Sequence, residues 1–103
     1  MEVLERLFTA GFRPIAIPPY ENALCVHRGD CAAPLAPVKN GGLRLLAPPG
    51  YLVEGNFSVR IKRGTREVFV WKQKELEATP ERLLQLDAFR RELTDILDAG
   101  AVQ

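Results

Sequence analysis

FSVRIKRGTREVFVWKQK, residues Phe57 to Lys74, is the stretch that decides the fold. Two runs rich in β-branched and aromatic residues meet at a turn containing Gly64, which reads as a β-hairpin. On the first run Phe57, Val59 and Ile61 alternate with Ser58, Arg60 and Lys62, giving one apolar and one polar face. The return run, Glu67 to Trp71, is apolar on both sides, as a strand covered on both faces should be. Pairing Ile61 with Arg66 places Val68 and Val70 beside Phe57, Val59 and Ile61, and leaves Phe69 and Trp71 to share a face with Arg60 and Lys62. A slip of one residue would turn the aromatic side chains into the core instead. The first register keeps the β-branched residues together and is the one expected.

Charge is uneven along the chain. The hairpin segment holds six bases, Arg60, Lys62, Arg63, Arg66, Lys72 and Lys74, against the single acid Glu67. Residues 75–103 carry seven acids and three bases, and residues 1–56 five of each, so the formal net charge of +1 hides a basic hairpin beside an acidic C-terminal segment. Such asymmetry marks an anionic partner, or else an acidic helix that packs near the hairpin and offsets it internally. The internal offset is the simpler expectation.

Outward from the hairpin, the clearest element is a helix beginning at Thr79, a good N-cap, with Pro80 at the first helical position and Glu81 in the first turn. Leu83, Leu86, Phe89, Leu93, Ile96 and Leu97 follow at helical spacing, and Gly100 is the expected stop. Residues 2–10 predict a short N-terminal helix with Val3, Leu4, Leu7 and Phe8 on one stripe, ended by Gly11. Between them, Arg13 to Ile17, Ala23 to Arg28 and Tyr51 to Val53 read as short strands, with prolines marking edges. Residues 31–37, CAAPLAP, read mostly as loop. Asn40-Gly41 predicts a type I′ turn pairing Val38 with Leu43. The expected architecture is a single α+β domain spanning residues 1–103. It is a curved, mostly antiparallel sheet of five to seven short strands with a long C-terminal and a short N-terminal helix. In element order this resembles pleckstrin-homology-like domains.

At 103 residues the chain suffices for one core. No apolar run is long enough for a membrane span, and Glu2 and Glu5 stand where a signal peptide would carry positive charge, so a cytoplasmic protein with no membrane partner is expected. There is no phosphate-loop or dinucleotide fingerprint, and turn formation accounts for the glycines.

Cys25, His27 and Cys31 gather the only histidine and both cysteines within seven residues. As a zinc site the set lacks a fourth ligand and the paired spacing of zinc ribbons, though Asp30 or Glu21 lies near. As a catalytic pair, Cys25 and His27 stand two apart on one strand, roughly 6.5–7 Å between Cα atoms, too far for a direct hydrogen bond in a straight strand. No catalytic residue and no cofactor is therefore expected. Three functions follow in order. The first is a small non-catalytic module that holds a protein partner, or a second copy of itself, through its sheet or an exposed edge. The second is nucleic-acid binding, with the six hairpin bases on phosphates and Phe69 or Trp71 stacking on bases. The third is a metal or thiol site at Cys25, His27 and Cys31.

Overall fold

The computed structural model describes residues 3–39 and 41–101. Helix α1, Val3–Thr9, buries Val3 and Leu7 against the C-terminal helix, while Phe8 turns outward. It ends as expected at Gly11, which adopts φ +94°. The amides of Gly11 and Phe12 bond back to the carbonyls of Phe8 and Leu7, the pattern of a Schellman cap. That cap throws Phe12 into the core.

Strands β1 (Arg13–Pro14), β2 (Leu24–Arg28), β3 (Cys31–Pro37), β4 (Leu43–Leu45), β5 (Gly50–Val53) and β6 (Asn56–Phe57) form one antiparallel sheet, in the order β1-β2-β3-β5-β6 with β4 also on β3. A second sheet takes β7 (Val59–Arg63), β8 (Arg66–Trp71) and β9 (Lys74–Glu77) in sequence order. Helix α2, Pro80–Ala101, lies against the first sheet and α1. The class is thus α+β with a short N-terminal and a long C-terminal helix. The strands, however, divide between two sheets, and neither closes into a barrel.

The segment expected as loop, residues 31–37, is instead β3, the most interior strand. It pairs with β2 on one side and with β5, then β4, on the other. Its alanines carry no strand preference, but a strand buried on both faces has little room for larger side chains, and packing overrides propensity. Pro34 is accommodated because its carbonyl, and hence its missing N–H, faces the flank where the chain changes partner from β5 to β4. There Leu46 donates to the Pro34 oxygen at 2.9 Å.

The β3–β4 hairpin is present with Pro37 opposite Leu43, one residue from the Val38–Leu43 pairing expected. Gly41 N–H bonds to Val38 O and Val38 N–H to Gly42 O, a three-residue connection with Gly41 at φ +83°; Asn40 lies outside the described residues. The type I′ geometry falls elsewhere. Val53 faces Asn56 across Glu54 and Gly55, at φ +51° and +79°.

The two sheets share one bent strand. β6 pairs with β5, the chain breaks step at Ser58, and β7 continues into the second sheet. Both the Ser58 N–H and its buried hydroxyl donate to Tyr51 O, at 3.2 and 2.5 Å, which fixes the bend. The core fills the space between the first sheet, the helices and the inner side of β8. Phe12 meets Phe89 edge to face at 5.3 Å, and Tyr51 stacks on Phe69 at 4.9 Å between centroids. From α2, Phe89, Leu93 and Leu97 are buried, with Leu83, Leu86 and Ile96 packed beside them, so the apolar stripe docks as its spacing required. The helix runs through Gly100 rather than stopping there. Among the described residues no helix is long and apolar enough to cross a membrane.

Candidate functional site

Gly64 and Thr65 make the turn between β7 and β8, with Gly64 at φ +66° and Arg63 facing Arg66. This is the Gly-first two-residue loop that suits strand twist. Ile61 faces Val68, two residues from the Ile61–Arg66 pairing expected, because the loop holds two residues and not four. A shift of two preserves the faces. Val59, Ile61, Val68 and Val70 share one, and Arg60, Lys62, Phe69 and Trp71 the other, as the sequence predicted.

Which face meets the core follows from packing. Phe69 is 1% exposed, stacked on Tyr51, so it cannot offer its ring to a base. Trp71 is half-buried with the Lys72 ammonium 5.1 Å from its ring. The β-branched face turns outward. Val59 is 63% exposed, while Val68, on the central strand of its sheet, is buried. The tip residues, Arg63 to Arg66, are all exposed.

β7 is an edge. Its single strand partner among the described residues is β8. In a two-residue hairpin the pair flanking the loop exchanges both backbone bonds, and the pattern then alternates. With Arg63–Arg66, Ile61–Val68 and Val59–Val70 as the bonded pairs, the N–H and C=O groups of Arg60 and Lys62 point away from β8. These are the groups an added strand would use.

The charge offset expected from the acidic helix is supplied by other elements. Arg60 pairs with Glu67 at 3.5 Å, Arg63 with Glu75 at 2.5 Å and Lys74 with Glu54 at 3.8 Å, all from strands and turns. Of the α2 acids, Glu92 pairs with Arg28, and Asp87 with Arg90 and Arg91. Hydrogen bonds from Arg91 and then Arg90 hold the Asp87 carboxyl below its ordinary range. Among the described residues Lys62, Arg66 and Lys72 enter no ion pair.

At its first residues β7 borders a groove of about 480 Å³. Tyr20, Pro48 and Phe57 form one wall, Leu83 and Leu86 of α2 the other, with Arg60 and Arg90 on the lining. Tyr20 and Phe57 meet edge to face at 6.2 Å, bracing that wall. Gly50 sets its floor: a Cβ there would sit 2.8 Å from the Phe57 ring. Sequence reasoning missed this groove, since its walls come from four separate segments. The one local signal was Pro48-Pro49-Gly50, a rigid turn ending in a residue without a side chain.

The Cys25, His27 and Cys31 set is divided. Cys25 and His27 occupy one face of the first sheet, and Cys31, opposite Arg28, occupies the other, inside the main core. Strand alternation separates them, because residues 31–37 pair back on β2 in place of looping over it. Among the described residues no three metal-ligating side chains come together. The Cys25 thiol is directed at the carbonyls of Tyr20 and Ala23, at 3.7 and 3.8 Å, and not at His27. Burial raises its pKa, opposed by a backbone hydrogen bond at Ile17. Burial, aided by the Asp30 carboxylate and opposed by Arg28, pushes the Cys31 thiol up to about 11. Both cysteines are free. Neither has the low-pKa setting of a nucleophile or a thiolate ligand.

The chain matches no family model, and no curated protein and no solved structure is significantly similar to it.

Proposed function

We propose that this protein is a non-catalytic binding module that adds an extended segment of a partner protein to β7. The observation that carries the reading is the open β7 edge, on which the backbone groups of Arg60 and Lys62 face outward. Main-chain bonding would supply the affinity, and the side chains on either face would choose the partner.

The partner is a different chain rather than a second copy at this edge. Antiparallel pairing of β7 with β7 about Ile61 sets Arg60 opposite Lys62 of the other copy, twice over. Like charges directly opposite are destabilising. Basic side chains on an edge strand are a recognised guard against self-pairing.

The test uses peptides selected for binding from a random extended library. Each binder is resynthesised with N-methyl groups at alternate residues, in the two possible phases. One phase should abolish binding and the other spare it, because only alternate residues of an added strand bond to the edge. Binding indifferent to both phases would sink the reading.

Nucleic acid is the second reading, favoured by Lys62, Arg66 and Lys72 lying outside any ion pair among the described residues. It has lost one of its two stacking rings to the core, Phe69. Sites of this kind stack successive bases on several aromatics.

A further inference from the structure

We infer that the segment taken up by β7 is acidic at alternate positions and ends in an apolar side chain seated in the groove beside Phe57. This rests on the edge-addition reading above and names the partner's chemistry.

β7 itself, Val-Arg-Ile-Lys-Arg, carries three bases and no acid. On an added strand, the residues opposite Arg60 and Lys62 share the hairpin's inner face with them. Opposite-charge pairs there are stabilising, so two acids spaced i and i+2 fit. The residue between them lies opposite Ile61, and the next opposite Val59, both on the outward β-branched face. Those two positions favour apolar partners. Lys62 stands outside any ion pair among the described residues. Among the described residues Arg60 has one ion pair, a half-exposed contact with Glu67 at 3.5 Å, which a better-placed carboxylate can replace.

Opposite Ser58 the same flank is taken by Tyr51, whose carbonyl accepts from the Ser58 N–H and hydroxyl, so the added strand leaves the ladder after Val59 and its next residue turns into the groove. Ser58, Val59 and Arg60 themselves line the groove, so edge and groove are continuous. Beyond this point a side chain passes between Phe57 and Tyr20 on one wall and Leu83 and Leu86 on the other, an apolar slot. Asp87 also lines it, but its carboxylate is occupied by Arg90 and Arg91 together, leaving that trio with one surplus positive charge. The slot therefore accepts an apolar side chain two residues beyond the carboxylate that faces Arg60.

For a strand antiparallel to β7 the pattern reads Glu-Val-Glu-Val-Leu. A fluorescent peptide containing it should bind the full chain about tenfold tighter than the same peptide with Lys for Glu, the two charge pairs supplying the difference. The gap should narrow as salt is raised. The double variant Arg60→Glu/Lys62→Glu should reverse the preference, with an unchanged circular dichroism spectrum showing that it folds. Replacing the peptide's Leu by Ser, which touches nothing in the protein, should weaken binding severalfold. Equal affinity for the Glu and Lys peptides, with binding still lost on N-methylation in one phase, would overturn the inference and leave edge addition standing. Tight binding of the Glu peptide that survives N-methylation in both phases would overturn edge addition, and this inference with it.

Discussion

At the residue scale, two side chains sit where the backbone or the solvent would not place them by choice. Lys72 adopts φ +55° in the turn between Trp71 and Lys74, a left-handed position that costs a side chain on the order of 1 kcal/mol and a glycine little. Its ammonium lies over Trp71, so Lys72→Ala loses that contact and keeps the strain. Lys72→Gly should therefore unfold at higher urea than Lys72→Ala, by about 1 kcal/mol of stability. Equal stabilities would show that the turn relaxes around any residue. Cys31 carries the second prediction. Its thiol is raised from 9.0 to about 11 in the folded state, so folding favours the protonated form. That contribution is complete below pH 9, where folded and unfolded chains are both protonated, and is lost as pH rises towards 11. The stability difference between the parent and Cys31→Ala should thus shrink across that window, measured by urea unfolding at a series of pH values. Other groups cancel in the difference. Neither effect was legible in the sequence. Lys72 looked like one more base of the hairpin, and Cys31 like a neighbour of His27.

At the element scale, legibility followed how local the cause of each element is. Helix α2 could be read directly because its cap, first turn and stripe all lie within its own sequence. In the folded chain Thr79 Oγ accepts from Arg82 N–H at 3.2 Å, and Arg82 also donates to Glu77 O. Thr79→Ala should cost about 1 kcal/mol, and Thr79→Ser, which keeps the acceptor, much less; thermal unfolding of the pair separates a lost cap from lost packing. The helix's run past Gly100 has the same kind of cause: glycine weakens a helix without forcing it to stop. Strand β3 stayed hidden for the opposite reason. Nothing in Cys-Ala-Ala-Pro-Leu-Ala-Pro prefers a strand. The segment is extended because β2, β4 and β5 all pair with it, and a single sequence does not announce partners. The central hairpin lies between these cases. Its faces were legible from alternation, but the pairing missed by two residues because loop length depends on a turn that Gly64 permits and does not dictate. Which of the two faces would be buried was beyond the pattern altogether, since that depends on Tyr51 waiting beneath Phe69.

At the scale of the whole molecule, the question is how much of the hairpin's charge is available to a partner. Linear sequence counted a surplus of five positive charges over residues 57–74. In three dimensions Glu54, Glu67 and Glu75 each hold one of those bases, and among the described residues Lys62, Arg66 and Lys72 remain outside ion pairs. Three cations spread over an edge and two turns do not make the dense basic track that a phosphate backbone rewards, whereas Lys62 beside Arg60 on the edge suits a short acidic strand. The distinction can be measured. Each phosphate neutralised on a single strand contributes about −0.7 to the slope of log affinity against log salt. Three available cations therefore limit that slope to about −2 for single-stranded oligonucleotides, and fluorescence titration of Trp71 across a salt series should return a value no steeper. A slope of about −4 or beyond would mean that Arg60, Arg63 and Lys74 abandon their glutamates on binding. The basic hairpin would then be a nucleic-acid surface first, and the charge selection argued for β7 would have to give way to it. A shallow slope, or none, leaves Arg60 and Lys62 on the edge to the carboxylates of an extended protein segment, the partner for which the open edge supplies backbone groups as well as charge.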